Sequence, residues 1–117
     1  NFFAMTTACA MSEAFAMADR AGIERQKLYD VMAAGPLKSG MMDFIKNYAT
    51  DGKIDLAFTV NNAFKDVSYY TVMSQDLGAP SRMSVAADGA LKAAIADGEG
   101  DIMVPEMVDY FAKVLGK

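Results

Sequence analysis

A chain of 117 residues with 53% apolar and 22% charged residues has the composition of one globular domain rather than of a disordered segment. Its net charge of -4 argues against nucleic acid and anionic membrane surfaces as partners, because both favour a basic face. The absence of histidine and the single cysteine exclude Ser-His and Cys-His catalysis and an internal disulfide, and no cluster has the spacing of a metal site.

The first segment, residues 1–21, contains neither Gly nor Pro and is rich in Ala and Met, which predicts a long helix that stops at Gly22. Apolar and small residues occur all around this predicted helix, so we expect it to be buried on more than one side. Cys9 lies among Ala, Thr and Met, and we interpret it as a buried structural thiol.

The same segment lacks the features of a targeting signal. No basic region precedes the apolar run, and charged residues from Glu13 to Arg20 interrupt it before it could span a bilayer. The default expectation is therefore a cytoplasmic protein. The chain begins with Asn rather than Met, which indicates a fragment or a processed form of a longer protein.

Gly and Pro divide the rest of the chain into five further predicted helices. They cover residues 24–34, 39–48, 58–77, the segment from Ser81 to Gly98, and Val104 to Leu115. No stretch shows a sustained alternation of polar and β-branched residues, which would indicate strands. The sequence therefore predicts a single all-α domain of about six helices with a long first helix.

The fourth predicted helix, residues 58–77, also has apolar residues on two faces. One face carries Phe64, Val67 and Thr71, and the other carries Tyr69, Val72 and Met73. A domain of this size has room for one central helix that is apolar all round. The second such helix indicates a surface that meets another subunit or domain. The 10 methionines fit an adaptable contact surface, and they fit a Met-rich core equally well.

The pair Lys65-Asp66 interrupts this apolar segment. Lys65 shares a helix face with Asn61, Asn62 and Tyr69. Its long stem could carry the ammonium group to the surface, or the ammonium could be partly buried and face a cleft that binds an anion such as a carboxylate. Asp66 lies about 100° further round the helix, so we expect it to contact a different partner, either by capping a nearby helix or by pairing with a Lys. Periodicity leaves both readings of Lys65 open.

Several short motifs resemble those of the β-hydroxyacid dehydrogenase family, which includes 3-hydroxyisobutyrate dehydrogenases and tartronate semialdehyde reductases. Phe58 and Lys65-Asp66, in "FTVNNAFKD", are similar to the family's Phe-x6-Lys-Asp motif. Asn1 stands twelve residues before Glu13, as the second Asn of the family's Lys-x-x-Asn-Asn helix stands before its Glu-Ala pair. The segments "ADRAGI", "GPLKSG", "LGAPSRMS" and "DGEGDI" follow in the family's order, so the resemblance covers essentially the whole chain.

The resemblance implies an architecture and an activity. Residues 1–117 would be the all-α C-terminal domain of such an enzyme, similar to the C-terminal domain of 6-phosphogluconate dehydrogenase, with the Rossmann domain missing upstream. Family members transfer a hydride between a small 3-hydroxy acid and NAD or NADP. Their C-terminal domain carries substrate and dimer contacts, so we expect a homodimer or a larger homo-oligomer that also contacts its own Rossmann domain.

The resemblance also implies roles for individual residues. Asn1 matches the residue whose amide orients the substrate, and the family's catalytic lysine lies four residues earlier, upstream of this chain. Lys65 matches the residue that reaches the cofactor or substrate across the cleft, and Asp66 would support it. Ser39 falls in the family's Gly/Ser turn, although "PLKSG" lacks the Trp that usually follows, and Met103 replaces a common Ser. Without the catalytic lysine and a glycine-rich phosphate-binding turn, the isolated chain is expected to be inactive.

A second hypothesis needs no catalysis. The chain would then be a stand-alone helical oligomerisation or binding module, and Lys65-Asp66 would serve its structure only. The two hypotheses differ in what the coding sequence should hold before Asn1. The dehydrogenase hypothesis requires a Rossmann segment with a Lys four residues before Asn1, and the module hypothesis requires none.

Overall fold

The computed structural model describes residues 1–116 of the chain. These residues form six α-helices and one 3-10 turn, joined by loops. The helices are α1 (Phe2–Ala21), α2 (Arg25–Ala33), α3 (Gly40–Asp51), α4 (Val60–Asp76), α5 (Arg82–Ala96) and α6 (Met107–Leu115), and the 3-10 turn Val104–Glu106 leads into α6. Within these residues the one β-type pairing is an isolated antiparallel bridge between Thr59 and Met103. The predicted all-α class and helix number are confirmed.

Hydroxyl side chains define the starts of three helices. Ser39, Thr59 and Ser81 each accept a hydrogen bond from the backbone N–H three residues later, at 3.1 to 3.2 Å. Such a contact satisfies one of the N–H groups that the first turn of a helix leaves unpaired. Gly22 and Gly52 end α1 and α3 in the left-handed conformation, with φ of 73° and 69°, which favours glycine. Local chemistry therefore sets most boundaries within one or two residues of the prediction.

The start of the fourth helix differs from the prediction. Thr59 is extended and forms a bridge with Met103, and the carbonyl of Phe58 accepts a hydrogen bond of 2.8 Å from the N–H of Val104. These two residues pair with the segment before α6, so the helix begins at Val60. Pairing with a distant segment overrides the helical periodicity here.

The inner face of α1 forms the centre of the core. It packs against α6 and α3 and, less extensively, against α5, α4 and α2. Phe15 on α1, Ile45 on α3, Leu91 on α5 and Met107 at the start of α6 are fully buried. Cys9 is also buried, which confirms its interpretation as a structural thiol.

The outer faces of α1 and α4 are not covered. Phe3 on α1 is 78% exposed, and on α4 the exposed residues Tyr69, Val72, Met73 and Leu77 form one side of the helix, here called the α4 stripe. α1 was expected to be buried on more than one side, and it packs against all five other helices while its outer face stays exposed. The second apolar face of α4, which was expected to meet another subunit or domain, is exposed in the described residues. None of the described helices is both long and apolar enough to cross a membrane.

Candidate functional site

Asn1 and Asp66, which are 65 positions apart in the sequence, meet at the start of α1. The Nδ2 group of Asn1 donates a hydrogen bond of 2.5 Å to Oδ2 of Asp66 on α4. Asn1 is the N-cap of α1, but its side chain makes no capping bond to its own helix. The Asp66 carboxylate therefore lies at the positive end of the α1 dipole, where a negative charge is favoured. The expectation that Asp66 contacts the end of a nearby helix agrees with this geometry.

This contact orients the amide of Asn1. A carboxylate only accepts hydrogen bonds, so the nitrogen of the amide must face Asp66. The amide oxygen then remains as an acceptor, and the second N–H remains as a donor. Asn1 is exposed. The pair can thus accept a hydrogen bond from a small ligand's hydroxyl and donate one to its carboxylate.

Lys65 is next to Asp66 in the chain, but its side chain is exposed on α4. The reading in which its ammonium is partly buried is therefore wrong. Within residues 1–116 the salt bridges are Arg25–Asp19 and Lys53–Asp55, and Lys65 takes part in neither these nor any described hydrogen bond. Its positive charge is open to an anionic ligand, which an ammonium group binds as a point charge.

The loop before the 3-10 turn fixes the first turn of α4. The backbone N–H groups of Val60 and Asn61 donate to the carbonyls of Ile102 and Gly100, both at 2.9 Å. The Nδ2 group of Asn61 donates to Oδ1 of Asp101 at 3.1 Å. The first N–H groups of α4 are therefore used internally and are not available to bind an anion.

Ser39 does not join the other predicted site residues. Its hydroxyl caps α3 by accepting from the N–H of Met42 at 3.1 Å, and no described contact links it to Asn1, Lys65 or Asp66. It lies instead on an apolar groove of about 480 Å³ along the outer face of α1, here called the outer groove. Residues that line the outer groove include Phe2, Phe3, Ala10, Met32, Leu37 and Met83.

The remaining perturbed groups serve packing. Burial and the charge of Glu13 raise the pKa of Cys9 to about 12, so its thiol stays protonated and unreactive. Tyr48 donates a hydrogen bond of 2.5 Å to Asp109, which raises its pKa to about 12 and ties α3 to α6. Within residues 1–116 no three His, Cys, Asp or Glu side chains are grouped so that they could hold a metal ion.

Comparisons with known proteins identify the family and the fold. A family model described as "NAD-binding of NADP-dependent 3-hydroxyisobutyrate dehydrogenase" matches residues 1–111. The fold is similar to the crystal structure of a 3-hydroxyisobutyrate dehydrogenase from Salmonella typhimurium, with a TM-score of 0.82 and 24% identity over 93% of this chain. This chain spans 38% of the length of that protein. No curated protein sequence matches.

Proposed function

Because the chain belongs to the 3-hydroxyisobutyrate dehydrogenase family, we propose that it forms the C-terminal, substrate-binding domain of an NAD(P)-dependent 3-hydroxyacid dehydrogenase. The observation that carries the proposal is the hydrogen bond between Asn1 and Asp66 next to the exposed Lys65. The positions that resemble the family's substrate and cofactor residues thus converge at one end of the domain, although they are far apart in sequence.

Each residue has a role that its surroundings support. Asn1 would orient the 3-hydroxy acid, because its contact with Asp66 fixes the direction of its remaining donor and acceptor. Asp66 would act through Asn1 rather than on the substrate directly. Ser39 would support the site at a distance, by capping α3.

The cofactor contact would fall to Lys65. NAD(P), when bound, supplies or accepts the hydride, and its phosphate groups are anions that suit an exposed ammonium without an internal partner. The described residues hold no glycine-rich turn between a strand and a helix, which is the usual cradle for the pyrophosphate. Most of the cofactor would therefore be held by a separate Rossmann domain, and the chain alone would be inactive.

The apolar outer surfaces support an assembly role for the same domain. The outer groove and the α4 stripe expose Phe3, Leu37, Tyr69 and Leu77, each more than half exposed. Exposed apolar side chains grouped in this way are typical of contact sites. We propose that the Rossmann domain and a second copy of the chain cover these surfaces, which gives a homodimer or a larger oligomer.

Kinetics of the intact dehydrogenase test the proposed function. Lys65→Ala is expected to raise the Michaelis constant for NAD(P) or lower turnover by about tenfold, or about 1.4 kcal/mol. Lys92→Ala, which removes another exposed lysine from α5, is the matched control and should leave both constants unchanged. Equal Michaelis constants and turnover for Lys65→Ala and Lys92→Ala would show that Lys65 does not contact the cofactor.

A further inference from the structure

Two neighbouring contacts hold the start of α1 against α4. One is the hydrogen bond of 2.5 Å from Asn1 to Asp66. In the other, the ring of Phe2 stacks on the ring of Tyr70, with centroids 4.0 Å apart and an angle of 8° between the ring planes. Asn1 and Phe2 are consecutive in the chain, and Asp66 and Tyr70 lie on one side of α4 because they are four residues apart. The polar contact and the aromatic contact are therefore adjacent on both helices.

The hydrogen bond alone is a weak restraint on Asn1. This residue is exposed, and it precedes the first turn of α1, where helices fray. Water competes for a hydrogen bond between exposed side chains, so the net stabilisation is small. Within residues 1–116 it is also the one described side-chain hydrogen bond between the start of α1 and α4. A second contact is needed to keep the amide of Asn1 in one place.

The aromatic stack provides that second contact. Both rings are partly buried, and a stacked aromatic pair stabilises a contact beyond the apolar area that it buries. Phe2 follows Asn1 directly, so their Cα atoms are about 3.8 Å apart. When the Phe2 ring is held on Tyr70, the backbone of Asn1 can move only a short distance from α4. The hydrogen bond to Asp66 then sets the direction of the amide.

The ring of Tyr70, and not its hydroxyl, makes this contact. The hydroxyls of Tyr29, Tyr48 and Tyr110 each donate a hydrogen bond to an aspartate. No described hydrogen bond within residues 1–116 involves the hydroxyl of Tyr70, whereas its ring stacks on Phe2. Tyr70→Phe therefore keeps the contact with α1 and removes the hydroxyl only.

We propose that Tyr70 is a positioning residue for the 3-hydroxy acid. Its ring holds Phe2 and, through Phe2, keeps the Asn1 amide in contact with Asp66 and directed toward the substrate. The inference rests on the proposed function, in which Asn1 orients the substrate. It adds a residue that does not touch the substrate and that sets how often the amide is in its productive position. Loss of the ring should make the contact between Asn1 and Asp66 open about two- to fivefold more often.

The first test uses the 117-residue chain and needs neither substrate nor cofactor. NMR of the isotope-labelled chain measures how fast the side-chain amide protons of Asn1 exchange with water. Exchange should be about two- to fivefold faster in Tyr70→Ala, because the amide is released from Asp66 more often. Tyr70→Leu, which keeps apolar bulk without a ring, should change the rate in the same direction and replaces Tyr70→Ala if that variant does not fold.

Two variants are the controls for this measurement. Tyr70→Phe keeps the stack and should keep the wild-type exchange rate. Tyr29→Ala removes a partly buried ring from α2, away from Asn1, and should also leave the rate unchanged. An unchanged rate in the variants without a ring at position 70 would overturn the inference. The same increase in Tyr70→Phe or in Tyr29→Ala would overturn it too, because the effect would then not come from the stack.

The second test is a double-mutant cycle in the intact dehydrogenase, with kcat/KM for 3-hydroxyisobutyrate as the readout. Tyr70→Ala should lower kcat/KM about two- to fivefold, since this constant follows the fraction of molecules with Asn1 in position, and Tyr70→Phe should retain the wild-type value. In the Asn1→Ala background, Tyr70→Ala should have no further effect, because the amide that it positions is absent.

The outcomes of the cycle separate the inference from the proposed function. An equal loss from Tyr70→Ala in both backgrounds would show a general structural effect and overturn the inference. If Asn1→Ala lowers kcat/KM and Tyr70→Ala does not, the inference fails and the proposed function stands. If Asn1→Ala itself has no effect, both fail.

Discussion

The two faces of α1 both carry large apolar side chains but have opposite surroundings. The inner face places Phe15 at 0% exposure between helices of the same chain, whereas the outer face leaves Phe3 78% exposed beside the outer groove. An apolar ring on α1 is therefore buried only where another helix of the chain covers it. The chain supplies the helices that cover the inner face of α1, and its described residues leave the outer face exposed.

The largest expected effect is a difference in the free energy of unfolding between variants on the two faces of α1. Phe15→Ala should lower the free energy of unfolding by about 3–5 kcal/mol, because it leaves a cavity in the core. Phe3→Ala removes the same ring from the outer face and should change it by no more than about 0.5 kcal/mol. Denaturant unfolding of the two variants measures the contrast. Similar losses would mean that the outer face is already covered in the isolated chain.

The second prediction concerns association. Sedimentation of the chain at micromolar concentration should give a dimer or a larger species, because the exposed apolar surface is free to pair. Leu37→Asp places a charge in the outer groove and should weaken self-association about tenfold or more, since an unpaired charge is costly to bury. Lys38→Asp changes the neighbouring exposed residue, which is not among those that line the groove, and is the control. A monomeric wild-type chain would contradict the prediction.

The third prediction concerns the contact between α3 and α6, which alkaline pH should weaken. Tyr48 bound to Asp109 has its pKa raised to about 12, whereas in the unfolded chain the phenol titrates near 10. Between these values Tyr48 is protonated in the folded state and ionised in the unfolded state. Its contribution to the free energy of unfolding is therefore fully present below pH 10 and is lost as the pH rises through 12.

Tyr48→Phe is the matched variant for this experiment. It keeps the ring and removes the hydroxyl, which should cost about 1 kcal/mol at neutral pH and flatten the loss of stability above pH 10. Unfolding curves at several alkaline pH values measure both effects. The same slope in wild type and Tyr48→Phe would show that this hydroxyl does not tie α3 to α6.

Local chemistry made the helices predictable. Gly22 and Gly52 mark the ends of α1 and α3, and Ser81 marks the start of α5, because these residues satisfy helix termini through contacts within a few positions. The pairing of Phe58 and Thr59 with the segment before α6 was missed, because the bonding partners lie more than forty residues later. Long-range pairing leaves no local signal.

The sequence proposed residues for the candidate site but did not predict their contacts. The family resemblance supplied Asn1, Lys65 and Asp66, whereas the hydrogen bond between the first and the last of these depends on how α1 packs against α4. Periodicity could not decide the exposure of Lys65, because both faces of α4 carry apolar side chains. The contact between Asn61 and Asp101 was missed altogether.

The central claim concerns the N-terminus of α1, where Asn1 is proposed to present its amide to a substrate. The most direct test is kcat/KM of the intact dehydrogenase for a 3-hydroxy acid such as 3-hydroxyisobutyrate in Asn1→Ala, with Asn62→Ala on the exposed side of α4 as the control. The account predicts a loss of at least about tenfold for Asn1→Ala, or about 1.4 kcal/mol of transition-state stabilisation, and no loss for Asn62→Ala. Equal values of kcat/KM for wild type and Asn1→Ala would contradict it.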